Sequence, residues 1–114
     1  MVPRKHRFHG MNSLRFVHTH GQATRGPLFV IKSAHNKRRK EFRAAIVVSK
    51  KIHKSAVVRN RIRRRLYQAL REYEQLISLP YDIAIMVYSD RVAEMPSDKL
   101  HEQLKKQLKA AKII

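Results

Sequence analysis

The chain has 114 residues, the length of one compact domain that can bury roughly two-thirds of its unfolded surface. Its 43% apolar and 30% charged residues exclude wholesale disorder. No apolar run approaches the ~20 residues needed to cross a bilayer, and the start, MVPRKHRFHG, has charge but no apolar stretch. Neither a membrane span nor a secreted precursor is expected. With no cysteines, disulfides, thiolate metal sites and cysteine nucleophiles are excluded together, which fits a reducing, cytoplasmic setting.

The net charge of +18 comes from 26 Lys and Arg against 8 Asp and Glu, and it is unevenly placed. Residues 1–71 hold 20 basic groups and a single acid, Glu41, whereas 72–114 hold six basic groups and seven acids. A field of this kind raises the free energy of the compact state by self-repulsion, so it points to a polyanionic partner. A phosphate backbone is the commonest one, because each contacted phosphate releases condensed counterions.

In chain order, residues 1–11 read as a loose basic tail and 12–114 as a single domain. Asn12 or Ser13 can cap a short helix through about His20 that buries Leu14 and Val17 with Phe16 alongside, and Gly21 suits a left-handed stop. Leu28 to Ile31 and Phe42 to Val48 are β-rich runs and predict strands. Between them, Ala34 to Glu41 (AHNKRRKE) is too polar to bury and reads as a basic hairpin loop.

From about Val57 to Ile77 the period becomes helical. Ile62, Leu66, Ala69, Leu70, Tyr73, Leu76 and Ile77 form one stripe, with Asn60, Arg64, Tyr67 and Arg71 opposite and Arg61 and Arg63 flanking them. Pro80 ends this segment, and Ile83 to Tyr88 is a nearly continuous apolar run suited to a central strand. Beyond a loop from Ser89 to Pro96, Ser97 with Asp98 can cap a last helix. It carries Leu100, Leu104, Leu108 and Ala111 on one side, with Glu102 and Lys106 outside.

The segment richest in chemistry is VSKKIHKSAVVRNRIRRRLYQALRE, Val48 to Glu72. Its helix opens on Arg59-Asn60-Arg61 and continues Arg63-Arg64-Arg65, so like charges crowd at i, i+3 and i+4 and cations sit at the positive end of the dipole. A merely solvated face has no reason to choose that arrangement. Against phosphates the sign reverses, because guanidinium forks make bidentate charge-assisted bonds.

Within this segment, SKKIHKSAVVRNRIRRRL closely resembles the Arg-Asn-Arg signature of the bacterial ribonuclease P protein subunit. Arg7-Phe8 with the helix ending at Gly21 is similar to that family's N-terminal element, Leu28 to Lys32 to its first main strand, and Asp82 to Val87 to its last. The resemblance implies an α/β (α+β) two-layer sandwich with a mixed sheet, in the order α-β-β-(β)-α-β-α. It also implies an extra short strand within 21–27 and a left-handed βαβ crossover, against the usual right-handed rule.

Functionally the resemblance implies a subunit that binds the ribonuclease P catalytic RNA and the 5′ leader of precursor tRNA and promotes leader removal. Mg²⁺, bound mainly by the RNA components, would activate water and stabilise the leaving oxygen. The chain itself would supply no catalytic residue and no metal ligand, and would need no obligatory protein partner and no membrane. By position, Lys50, Lys51, Arg59, Asn60, Arg61, Arg63, Arg64 and Arg65 would contact the catalytic RNA. Leu14, His18, Val30 and Lys32 would line a leader cleft between the N-terminal helix and the sheet.

The chain departs from the pattern at Leu14, His18 and Lys32, where members often carry aromatics that stack on leader bases. It also has His53 where many members place a glycine.

Other constellations carry less. His18 and His20 at i, i+2 point to different sides of a helix and make no metal pair, and Asp82, Asp90, Glu94 and Asp98 do not pair as acid and base. Three glycines provide no phosphate-cradling loop. The alternatives are a basic ribosomal or other structural RNA-binding protein, and an autonomous protein nuclease.

Overall fold

The computed structural model describes residues 11–114, with side chains from residue 14 onward. Three helices and four strands follow in the order α1 (Met11–His20), β1 (Gln22–Arg25), β2 (Phe29–His35), β3 (Arg43–Val47), α2 (Ala56–Tyr73), β4 (Tyr81–Val87) and α3 (Ser97–Ala110). The mixed α/β sandwich expected from the sequence is present, including the short strand between Gly21 and Pro27. The tail and the Asn12 or Ser13 cap lie outside the described residues and side chains.

The sheet order is β1-β2-β4-β3, with β4 antiparallel to β2 and parallel to β3. Ile83 to Val87 therefore forms an inner strand, as its apolar run predicted. Registers Ile31↔Ile85 and Ile46↔Ile85 place these residues on one face with Phe29, Ala44, Ile83 and Val87, where they pack against the buried stripes of α2 and α3. The other parity, Lys32, Ala84 and Ala45, faces α1, whose Val17 is fully buried against the two alanines.

The residues 34–41 do not form a hairpin loop. β2 continues through Ala34 and His35, and β4 enters between β2 and β3, so the two strands flanking the loop never pair. The hairpin in this fold is β1–β2, closed by Gly26 N–H donating to the Phe29 carbonyl at 3.1 Å.

Gly21 is not a left-handed stop either. What demands glycine is space, because a Cβ there would lie 2.3 Å from the Val17 carbonyl oxygen and 2.9 Å from that of Ser33. Among the described residues, a left-handed backbone occurs instead at Lys112, at φ 61°, just past α3.

Along α2, Ile62, Leu66, Ala69, Leu70 and Tyr73 are buried as the stripe predicted, and Ile77 beyond the helix is buried too. Leu76 leaves the stripe at 57% exposure, because the last turn tightens to a 3-10 turn over Glu74–Leu76 and rotates it outward. Tyr67, assigned to the polar side, is 9% exposed and belongs to the core. Its long ring bends from the flank of the helix into apolar surroundings that a shorter side chain would not reach.

The final helix is not capped by Ser97 or Asp98. Pro96 occupies the N-cap without a side-chain bond, so Ser97 already lies within the helix. Tyr73 joins the helical layer together, its hydroxyl donating to the His101 carbonyl at 3.2 Å. Burial, and then the nearby carboxylates Glu72 and Glu102, raise its pKa above the ordinary tyrosine value of 10.0.

Candidate nucleic-acid interface

The candidate interface begins where β3 ends. Ser49 to Ser55 form a tight connection in which Ile52 N–H donates to the Ser49 carbonyl at 3.1 Å and Ser55 N–H donates to His53 Nδ1 at 3.1 Å. Where members of the resembled family often have glycine, the His53 ring thus holds the backbone of the turn. Ser55 caps α2, its Oγ accepting from Val58 N–H at 3.4 Å. Lys50 and Lys51 project from this turn, both exposed.

The eight predicted RNA-facing residues share this turn and the first turns of α2, but they divide into two groups. Arg59 donates from one nitrogen to the carbonyls of His53 (2.9 Å) and Lys54 (3.0 Å), tying the helix to the preceding turn. Arg63 donates to Asn60 Oδ1 at 2.7 Å and to the Val48 carbonyl at 3.2 Å. Arg65 donates to the Val92 carbonyl at 2.7 Å and to that of Met95, fastening α2 to the segment before α3. Each of these guanidiniums spends part of its five-donor fork internally and keeps N–H groups for an outside acceptor.

Arg61 pairs with Glu94 at 3.0 Å, both well exposed, so water and salt weaken that bond. Arg64, Lys50 and Lys51 have no such partner among the described residues. They carry the most available charge.

On the other face of the sheet, His18 and Lys32 meet, and Leu14 lies one turn of α1 before His18. Lys32 Nζ donates to His18 Nδ1 at 2.9 Å, which requires that ring nitrogen to be unprotonated. Leu14 packs with Val17 on Ala45 and Ala84, so the small alanines let α1 approach closely. Val30 lies on the same face two residues along β2 and is 8% exposed, opposite Met86. The expected cleft would thus be bordered by an ammonium, an imidazole and aliphatic surface.

Sequence reasoning missed the polar network at the far end of that face. Asp82, 1% exposed, accepts from Arg43 Nε at 3.0 Å, from its terminal nitrogen at 2.9 Å and from Asn36 Nδ2 at 2.9 Å. The available signal was an acid at an inward position at the start of an otherwise apolar strand, since a buried carboxylate requires partners. Gln107, buried in α3, was also missed. It donates to the carbonyls of Thr24 and Phe29 and so ties α3 to the β1–β2 hairpin.

Residues 2–112 match the family profile of ribonuclease P. The chain belongs to the ribonuclease P protein family. The ribonuclease P protein component of Brevibacillus brevis is 33% identical over 111 residues, covering 97% of this chain and 86% of the relative. That of Ligilactobacillus salivarius is 35% identical over 98 residues, covering 86% and 85%.

Among solved structures, a Staphylococcus aureus ribonuclease P protein, a mutant described as defective in mRNA degradation, superposes with a TM-score of 0.87 at 26% identity. It covers 97% of this chain and 92% of that one. The Thermotoga maritima ribonuclease P protein shares the fold at a TM-score of 0.75 and 22% identity, covering 85% and 89%. Family membership implies an RNA partner and a place in tRNA processing.

Proposed function

We propose that this chain binds the catalytic RNA of ribonuclease P and the 5′ leader of precursor tRNA, and so promotes Mg²⁺-dependent removal of the leader. The observation that carries this reading is the cationic start of α2, where Lys50, Lys51 and Arg64 stand without an internal counter-charge while Arg59, Arg63 and Arg65 brace the helix behind them. Asn60 and Arg61 complete the face. Rigid positioning reduces the ordering cost of gripping a phosphate backbone.

The cleft of Leu14, His18, Val30 and Lys32 takes the leader. With Leu14, His18 and Lys32 at positions where relatives often present aromatics, Lys32 and His18 offer donors to phosphate oxygens, and recognition leans on charge more than on stacking.

The cationic face and the cleft offer ammonium, guanidinium and imidazole groups rather than the carboxylate oxygens that Mg²⁺ takes, so they do not fit the ion. We assign the ion, and the bond-breaking chemistry with it, to the RNA. No obligatory protein partner enters the scheme. No helix among the described residues is long and apolar enough to cross a membrane, and we assign the chain to the cytoplasm on the strength of its RNA partner.

Cleavage of precursor tRNA by a cognate catalytic RNA at low Mg²⁺, with and without the chain, tests this. The chain is expected to lower the Mg²⁺ requirement and to raise precursor affinity. If it does neither, the assignment fails in favour of a structural RNA-binding role, and cleavage without any RNA component would make it a nuclease.

A further inference from the structure

The turn between β2 and β3 carries four consecutive cations, Lys37, Arg38, Arg39 and Lys40, all exposed and without an acidic partner among the described residues. The neighbouring acid Glu41 shares a shallow hollow with Arg39, Lys40 and Arg43. A flexible loop could relax such repulsion by spreading. This one is held. Asn36 N–H donates to the Pro80 carbonyl at 2.9 Å, and the Asn36 carbonyl accepts from Arg39 N–H at 3.0 Å. Asn36 Oδ1 accepts from Arg38 N–H at 3.1 Å, while its Nδ2 donates to buried Asp82. Arg43, at the exit of the turn, grips the same carboxylate. The backbone that bears the four charges is therefore clamped at both ends to a buried anion.

Fixing like charges side by side raises the energy of the free protein and lowers the ordering cost of binding an anion there. Position selects the anion. Arg43 and Asp82 are register partners on the sheet face that carries Lys32 and α1. β2 carries the chain three residues beyond Lys32 to His35, about 10 Å at strand rise, and the turn follows directly, so it continues the line of the cleft. Lys50 and Lys51 stand beyond the opposite end of β3, about 20 Å from the turn.

We infer that the 36–40 turn is a second phosphate-binding site, and that it takes the backbone of leader nucleotides that have already passed the cleft. This rests on the proposed leader-binding role. It adds a preference for long leaders, independent of base sequence.

The test uses the assembled holoenzyme and precursor tRNAs whose leaders either end within the cleft or extend well past it. For the wild-type chain, lengthening the leader should raise affinity. Arg38→Ala with Arg39→Ala should abolish that gain, on the order of tenfold, and should leave short-leader affinity and cleavage unchanged. The salt slope for long leaders should become shallower by about 1.4 units, for two lost contacts to a single strand.

If the double variant keeps the length-dependent gain and the slope, the inference is overturned while leader cleavage by the wild-type holoenzyme still stands. An equal loss at every leader length, matched in binding to the catalytic RNA alone, also overturns it and puts phosphates of that RNA on the turn. A wild-type chain that does not promote cleavage removes the proposed role, and this inference with it.

Discussion

Arg64 and Arg65 are adjacent in sequence and identical in chemistry, yet their replacement by alanine should give opposite phenotypes. Arg64 is exposed and has no partner among the described residues, so Arg64→Ala should change stability by less than about 0.5 kcal/mol. It should weaken association with the catalytic RNA and flatten the salt slope by about 0.9 units, the loss of one phosphate contact on a duplex.

Arg65 is mostly covered and donates to the carbonyls of Val92 and Met95. Hydrogen bonds from a charged donor are worth about 1.5–3 kcal/mol each, and partial exposure reduces that. Arg65→Ala should therefore cost about 2–4 kcal/mol and lower the melting temperature by roughly 10 °C or more. Thermal unfolding by circular dichroism, with RNA binding measured across a salt series, separates the two. An Arg65→Ala chain that melts like wild type, or an Arg64→Ala chain that melts as early as Arg65→Ala, refutes the division of α2 into braces and contacts.

Other expectations concern the scaffold. Gly21→Ala should destabilise by about 2 kcal/mol or more, because its Cβ meets two backbone carbonyls that cannot swing aside; chemical denaturation measures it. Lys112→Gly should stabilise by about 0.5–1 kcal/mol by relieving a non-glycine residue at φ 61°, read as a higher denaturation midpoint.

Tyr73 keeps its proton in the folded state at pH values where the unfolded chain has lost it. Its contribution is thus whole below pH ~10 and declines as pH rises from there through the raised folded pKa. In Tyr73→Phe this part of the alkaline loss of stability should be absent from denaturation midpoints measured between pH 9 and 11.

The helical period of α2, the inner strand of Ile83 to Val87 and the basic surface at Lys50 and Lys51 were legible in the sequence, because each rests on local pattern or net charge. Strand neighbours were not. Nothing in AHNKRRKE shows that a strand some forty residues later separates β2 from β3, since register is a long-range property. The roles of individual arginines were equally hidden. A run of guanidiniums looks uniform on a helical projection, and only the carbonyls of Val48, Val92 and Met95, brought in from elsewhere, divide Arg63 and Arg65 from Arg64. Gly21 was noticed for the wrong reason, because a sequence does not display which oxygen a missing methyl would strike.

The seating of α1 has a consequence for timing. Among its described side chains Val17 alone is fully buried, and it rests on two alanines, whereas α2 and α3 share the large core. So little apolar contact makes detachment of this helix far cheaper than global unfolding, and its amides should exchange with deuterium well before those of β2 and β4. α1 can thus lift from the sheet while the strands beneath it stay shut, and under the proposed role this would admit leader strands of different bulk without loosening α2.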